Sequence, residues 1–546
     1  MKRFLLVLAL FGLGFTLFAQ NPTCYRVYLN NKNNSTFSVD NPEAFLSPRA
    51  IAKRAQYNIP ITTQDLPVNQ SYLNQILAFD PTIQILTTSK WLNTAVIYCP
   101  NNAHIPGIQN LACVQYIVPV ANYNLNSPRN GMPELTGAPD KFDLSRSNSL
   151  NYGDSYDQIK VHRGDSLHNR GFRGEGMLIC ILDAGWEGFD TLSHFQSLYT
   201  NGQIWGTRDL IPGVNNVYFG HGHGTSVTSI IASNIPDALV GTAPNANFFF
   251  IRSENPWSEQ LIEEDFWVAG AELADSLGAD VINSSLGYTE FADFPEGNMT
   301  PQDNDGITGV SSQAATIAGE KGIVVVISAG NERDSNWGYI GRPADAIDVI
   351  SVGAMSKDSV IAPFSSFGPS ADGRVKPDVT SVGWDTWVST TYGAILQGNG
   401  TSYSGPVIAG LAACLWQALP HLNAVELMQE IREYGHIYNT PDHDFGYGIP
   451  DFFQAFLDNS TSIASYNQEK SICTFPNPAS DEITFQSLQG NIIDIQIFDV
   501  TGKKILSYAV SNQEQISITV STLKAGLYFA HITTQQNRST IKFVKR

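Results

Sequence analysis

The chain of 546 residues has few cysteines, few charges and a shortage of basic side chains. Its six cysteines, Cys24, Cys99, Cys113, Cys180, Cys414 and Cys473, are scattered. They form no CxxC pair and no metal-ligand spacing, which argues against a zinc centre. Charged residues make up 15% of the chain, and 32 Lys and Arg stand against 51 Asp and Glu, a net charge of −19. That balance argues against a nucleic-acid-binding surface over the whole molecule. Beyond the first twenty residues no apolar run is long enough to cross a bilayer, so no stable membrane span is expected. What is present is 42% hydrophobic residue with 45 Gly and 28 Pro, which excludes a disordered or fibrous chain. The length allows roughly three or four domains.

The charge is unevenly spread. Residues 1–150 carry 11 basic and 7 acidic side chains, residues 151–464 carry 13 and 38, and residues 465–546 carry 8 and 6. The acidity therefore belongs to a middle segment, at −25, between weakly basic flanks. Lys2 and Arg3 precede the apolar run Phe4–Phe18 and the small residue Ala19, the pattern of a secretory signal peptide over residues 1–20. Cys180 and Cys414 fall inside apolar segments, where a free thiol behaves as a small hydrophobe. A disulfide from Cys24 to Cys99 or Cys113 is compatible with export but is not fixed by spacing.

Residues 24–121 read as strand 25–29, helices 47–57 and 68–79, strands 83–88 and 94–99, a short helix near 105–111 and strand 114–120. Leaving out the first helix, this is β-α-β-β-α-β, the split arrangement of a ferredoxin-like α+β domain. Residues 122–150, rich in Asn, Pro, Ser and Gly, read as an exposed linker. From about residue 151, β-branched runs at 177–182, 246–251, 280–285, 323–328 and 349–354 alternate with helical periods at 226–233, 263–277 and 312–321. Alternation of this kind predicts an α/β domain, a parallel sheet with helices on both faces and ligands beyond the strands' carboxyl ends. Residues 458–473 read as a second linker. Residues 474–546 hold short alternating strands (482–486, 493–498, 504–509, 515–520, 526–533 and 541–545), and the turn Asp499-Val500-Thr501-Gly502 fits a β-sandwich.

Four motifs fall where such a sheet places chemistry. Asp183-Ala184-Gly185 closes a strand, His223-Gly224-Thr225 opens an apolar helix, Ala329-Gly330-Asn331 follows a strand, and Gly400-Thr401-Ser402 leads into a helical run at 407–419. A serine hydroxyl needs a base to become a nucleophile, and the imidazole base needs a buried carboxylate to fix its tautomer. The oxyanion needs preset donors, which an amide side chain and a backbone N–H at a helix start supply. Singly, each motif is as readily a turn or a helix cap. Their conjunction discriminates, in the order Asp183, His223, Asn331, Ser402. His221 competes with His223, but only His223 is followed by Gly-Thr and an apolar helix; Asp190 lies past the strand end in a polar turn.

With Ser285-Leu286-Gly287 and Pro406, these motifs make residues 151–457 resemble a subtilisin-like serine protease of the S8 type. The resemblance implies Asp183 as orienting carboxylate, His223 as general base and acid, Ser402 as nucleophile, and Asn331 with the Ser402 N–H as oxyanion donors. It also implies a substrate pocket walled by Ser285, Leu286 and Gly287 on one side and by Ser328–Gly330 on the other. Ala184 where Thr is commoner, and Tyr403-Ser404-Gly405 before Pro406, are departures around the four residues. No cofactor is required and no metal ligand is assigned. Related proteases often bind calcium, but Gln302-Asp303-Asn304-Asp305-Gly306 lacks a bidentate Glu and reads better as a solvated turn. The alternative function is a catalytically inactive binding protein on the same scaffold. An esterase would place serine in a G-x-S-x-G elbow ahead of its Asp and His, the reverse of this order.

By the same resemblance, residues 21–150 correspond to a propeptide with its linker, which assists folding and blocks the cleft of its own enzyme. Phe475-Pro476-Asn477-Pro478, Phe498-Asp499-Val500-Thr501-Gly502-Lys503, Ala525-Gly526-Leu527-Tyr528 and Lys542-Phe543-Val544-Lys545-Arg546 resemble the C-terminal sorting domain of the type IX secretion system. The expected partners are protein or peptide substrates, the chain's own propeptide and that secretion machinery. The expected location is the medium or cell surface of a Gram-negative bacterium, reached through the periplasm.

Overall fold

The computed structural model describes residues 23–123, 150–213, 215–463, 472–487, 490–499, 503–534 and 538–546. The expected signal peptide, residues 124–149 of the first expected linker, residues 464–471 of the second and residues 500–502 of the expected turn lie outside them. The chain divides into two compact units, 1–456 and 457–546.

The first unit opens with strands β1 (Cys24–Leu29), β2 (Gln84–Ser89), β3 (Thr94–Tyr98) and β4 (Val114–Ala121), and helices α1 (Pro48–Gln56), α2 (Gln70–Leu77) and α3 (Ile105–Gln109). The antiparallel order β2-β3-β1-β4 is the ferredoxin-like arrangement expected from the sequence. α1 begins where Ser47 accepts the Ala50 N–H, and α2 where Asn69 accepts the Ser71 N–H, one and two residues inside the helix starts expected at 47 and 68.

The body is a seven-stranded parallel sheet. In chain order its strands are β5 (Leu178–Asp183), β6 (Ile204–Asp209), β7 (Asn247–Arg252), β8 (Val281–Ser284), β9 (Val324–Ser328), β10 (Ile350–Met355) and β11 (Val379–Val382). Their spatial order is β11-β10-β9-β8-β5-β7-β6. Five of the seven match the apolar runs of the sequence. β6 and β11 did not announce themselves, because Ile-Trp-Gly-Thr-Arg-Asp and Val-Thr-Ser-Val lack a continuous apolar run. β9, Val-Val-Val-Ile-Ser, is buried along its whole length, as a strand covered on both faces must be. Each of its aliphatic side chains contributes roughly 1.5–3 kcal/mol by leaving water.

Helices α4 (His223–Ala232), α5 (Ile262–Leu277), α6 (Val310–Glu320), α7 (Thr401–Ala418) and α8 (Ala424–Glu433) cover the sheet. α7 is buried almost throughout from Ser404 to Trp416, which fits a helix apolar on every side. It starts at Thr401, ahead of the expected 407, with Pro406 inside its second turn. The order in which strands are added reverses between β5 and β8, which pair in parallel. The crevice beyond their carboxyl ends is where a sheet of this kind receives ligands.

The N-terminal module docks on α5, whose acidic residues take buried basic partners from it. Arg26 clasps Asp265 through Nε at 2.6 Å and Nη2 at 2.7 Å. Arg54 Nη2 donates to Asp275 at 2.7 Å and Lys90 Nζ to its other oxygen at 2.9 Å. Glu272 accepts from Ser89 Oγ, Lys90 N and Trp91 N. Trp91 then joins the apolar cluster of Leu178, Leu182 and Ala271.

A last helix, α9, spans Phe452–Ile463, so residues 458–463 of the expected linker are helical. The second unit contains strands β12 (Ile472–Phe475), β13 (Glu482–Ser487), β14 (Ile492–Asp499), β15 (Lys504–Gln513), β16 (Gln515–Thr519), β17 (Gly526–Thr534) and β18 (Arg538–Lys545). They form antiparallel sheets ordered β12-β13-β16 and β15-β14-β17-β18, around Ile483, Phe485, Ile495, Ile497 and Phe543. Among the described residues no helix is long and apolar enough to cross a membrane. Cys24, Cys99, Cys113, Cys180 and Cys414 are buried free thiols, so the disulfide left open by the sequence is not formed. Burial pushes the Cys24 thiol up to about 12, which keeps it protonated and inert.

Candidate active site

Asp183, the last residue of β5, is fully buried, and His223 is the first residue of α4. Their segments cross so closely that neither motif glycine tolerates a side chain. A Cβ on Gly185, at φ +149, would lie 2.7 Å from His221 O; one on Gly224 would lie 2.7 Å from Gly185 O and 2.8 Å from the Trp186 ring. The Asp-Ala-Gly and His-Gly-Thr strings thus serve one crossing. It brings His223 Nδ1 to 2.8 Å from Asp183 Oδ1, which also accepts the Ala184 N–H at 2.7 Å. Nδ1–H donating to the carboxylate leaves Nε2 as the free, basic nitrogen.

Desolvation works against the His223 cation, but the charge of Asp183 and its hydrogen bond outweigh it and hold the imidazole above its ordinary value. His221, whose ring centroid is 6.1 Å from that of His223, moves the other way through desolvation and repulsion by His223. Asp183 therefore distinguishes the two histidines, as the motif reading did.

Ser402 stands in the first turn of α7. Pro406 has no N–H to donate to the carbonyl four residues back, which is that of Ser402. Ser285, one residue past the end of β8, takes the place of that donor: its Oγ donates to Ser402 O at 3.0 Å. Ser402 Oγ donates in return to Ser285 O at 3.4 Å, a long bond that a better acceptor can displace. Pro406 and Ser285, chosen from the sequence for different reasons, act on the same carbonyl.

Asn331 lies three residues past β9. Its Oδ1 accepts from Thr401 N at 2.8 Å and from Thr401 Oγ1 at 3.1 Å, and Thr401 Oγ1 accepts the Gly330 N–H at 3.1 Å. With Oδ1 occupied, Nδ2 is the amide's outward group. The point a Cβ of Gly400 would occupy is 3.7 Å from Ser402 N and 3.8 Å from both Nδ2 and the already engaged Oδ1 of Asn331. Two donors thus border the same small space, which suits a developing oxyanion. Thr401 was not singled out from the sequence; its place between Gly400 and Ser402 was the available signal.

Ser285, bonded to Ser402, and Leu286 are buried, whereas a Cβ on Gly287 would meet only Arg342 O, at 3.7 Å. Gly330 carries positive φ, +110. Asp190 makes no bond to His223; its carbonyl accepts from Gln196. In the acidic turn, Asp303 accepts from Thr300 N and Oγ1, and Asp305 from Ile307 N and from Thr308 N and Oγ1. Both carboxylates are engaged by their own turns.

Residues 174–448 match the family profile described as the subtilase family, peptidase S8. The chain belongs to the subtilase family. Subtilisin DY of Bacillus licheniformis is 30% identical over 275 residues, 50% of this chain and 88% of that protein. Subtilisin Savinase of Lederbergia lenta is 29% identical over 271 residues, 49% and 86% of the two chains. An alkaline protease of Alkalihalobacillus alcalophilus is 30% identical over 271 residues, 49% of this chain and 61% of that one. Residues 24–134 of this subtilase match the peptidase S8 propeptide domain of Bacteroidota, and residues 474–546 a secretion system C-terminal sorting domain. The subtilase is thus a serine endopeptidase made with its own propeptide and a type IX sorting domain, and it is a secreted or cell-surface protein.

Proposed function

We propose that this subtilase hydrolyses peptide bonds through an acyl-enzyme, with Ser402 as nucleophile and His223 as base. His223 Nε2 takes the Ser402 proton as Oγ attacks the scissile carbonyl, then returns it to the leaving amine; water repeats the cycle on the ester. Asp183 holds Nδ1–H and stabilises the imidazolium. Asn331 Nδ2 and Ser402 N–H receive the oxyanion, while Ser285, Leu286, Gly287 and Gly330 flank the side chain before the cut bond. The observations that carry this reading are the buried Asp183 holding the half-buried His223 imidazole and the Ser402 N–H bordering one small space with the Asn331 amide.

The reading includes maturation from a self-inhibited precursor: residues 1–20 as signal peptide, 21–150 as propeptide with linker, 151–457 as peptidase body and 474–546 as sorting domain, joined through 458–473. It requires no cofactor, and calcium at 302–306 would have to displace the turn hydrogen bonds of Asp303 and Asp305.

A fluorophosphonate probe tests the nucleophile. Wild type is expected to label and to digest casein, and Ser402→Ala to do neither. Wild type that neither labels nor digests would instead support an inactive binding protein on this scaffold.

A further inference from the structure

We infer that Tyr403 is a positioning residue for the base: its ring, wedged against the backbone of Gly398, fixes the plane of the His223 imidazole. The inference rests on the reading of Ser402 and His223 as nucleophile and base, and adds a residue to it. Tyr403 directly follows Ser402 and is one of the departures around the four motif residues. Its ring is near-parallel to the imidazole, at 27°, with the centroids 6.3 Å apart, the spacing of an offset aromatic stack. The bond from Nδ1 to Asp183 Oδ1 holds only one edge of the imidazole and leaves it free to tilt about the line joining the two atoms. A ring stacked on one face removes that freedom.

The ring that does this is itself held. A Cβ on Gly398 would lie 2.5 Å from Tyr403 Cε2, 3.2 Å from Cζ and 3.3 Å from Cδ2, and these are the three atoms nearest to it. Gly398 is not among the glycines with positive φ, so its backbone would accept a side chain and the Tyr403 ring is what forbids one. Gly398 ends a two-stranded hairpin, Thr386–Ser389 with Ile395–Gly398, that is tied to α4. Ser226 Oγ donates to Ser389 O at 3.0 Å, and Ser229 Oγ accepts the Ser389 N–H at 2.9 Å. The hydroxyl end of Tyr403 reaches the same Ser226.

The base and the nucleophile are thereby braced against each other. α4 begins at His223 and carries the hairpin on its second turn, whereas Tyr403 comes from the first turn of α7, where its N–H donates to Gly400 O at 3.0 Å. One side chain, adjacent in sequence to the nucleophile, packs on the hairpin and stacks on the base. The phenol takes no part in proton transfer. Burial and the charge of Asp183 push it above its ordinary value, so it stays neutral wherever the imidazole can act as a base. The face of the ring acts, not its hydroxyl.

The test is steady-state kinetics with one peptide substrate on full-length, self-processed enzyme, as wild type, Tyr403→Phe, Tyr403→Ala and Gly398→Ala. Sites are counted by fluorophosphonate labelling carried to completion. Tyr403→Ala is expected to lower kcat by roughly 10–100-fold with KM changed less than about twofold, because a misplaced base costs rate and not binding. Tyr403→Phe keeps the face and should stay within about threefold of wild type. Gly398→Ala drives a methyl group into the ring and should reproduce part of the loss, but should add nothing in the Tyr403→Ala background. The Nδ1 proton of His223, read by NMR, should be sharp in wild type and Tyr403→Phe and broadened by exchange in Tyr403→Ala. Should Tyr403→Ala fail to fold, Gly398→Ala and Tyr403→Phe carry the comparison. A labelled Tyr403→Ala with wild-type kcat, a loss confined to KM, or a Tyr403→Phe as slow as Tyr403→Ala would overturn the positioning role alone. Wild type that never labels would overturn the Ser402 reading with it.

Discussion

Asp183 Oδ1 and His223 Nδ1 meet at 2.8 Å, where the end of β5 passes the start of α4 at a distance that Gly185 and Gly224 permit. One carboxylate, wholly buried, thereby leaves Nε2 as the free nitrogen of the imidazole and raises the pH at which that imidazole loses its proton.

The first prediction is a pH profile. The protonated imidazole is the inactive form, and a raised value keeps it populated to higher pH. Activity should therefore fall as pH drops through a midpoint above the ordinary histidine value of about 6.5. Asp183→Asn removes the opposing charge, so the midpoint should move down while kcat falls by about 10⁴-fold. kcat/KM measured from pH 5 to 9 on both proteins checks this; a flat wild-type profile between 5 and 8 contradicts the assigned base.

The second prediction concerns the amide. Asn331→Ala should lower kcat by roughly 10²–10³-fold with little change in KM, because the donor acts only on the charge that develops in the transition state. Thr401→Val should show a weaker form of the same defect, about 1 kcal/mol, by releasing one of two bonds that orient the amide. Thr401→Ser should restore it. Steady-state kinetics with one peptide substrate distinguish these outcomes from a loss of binding, which would appear in KM.

A third prediction tests propeptide docking. Asp275→Asn in a Ser402→Ala precursor leaves Arg54 and Lys90 without their shared buried carboxylate, a loss of about 3–5 kcal/mol. The melting midpoint should drop by about 5–10 °C. Asp372→Asn, which removes the more exposed partner of Arg374, should leave it nearly unchanged. Equal shifts in the two variants would contradict the buried network as the docking device.

The fourth prediction follows from the second unit. Deleting residues 474–546 should leave the protein in the periplasm with its peptidase body intact. Cell fractionation with probe labelling reads both properties, and unchanged export would remove the sorting role.

Much was legible in the sequence because it depends on near neighbours. The periods of five sheet strands and the glycines beside Asp183, His223 and Ser402 are local demands, and each left a local signature. The charge count also showed weakly basic flanks about a middle segment of −25, but not where the two meet. Only the fold puts Asp265, Glu272 and Asp275 along one face of α5 opposite Arg26, Arg54 and Lys90.

The sequence by itself determined which residues could act, since a buried carboxylate, an imidazole, a hydroxyl and an amide are the chemistry of acyl transfer and stand in distinctive local strings. Only the tertiary structure decided how they act together. Pro406 frees the carbonyl of Ser402, yet nothing in the chain order says that Ser285, 117 residues away, will donate to it. Likewise β6 and β11 carry no continuous apolar run. The physical reason is the same in each case: a contact between distant segments is set by the strand order and the helices above it. That order is settled by burial of the whole sheet, not by any one stretch of it.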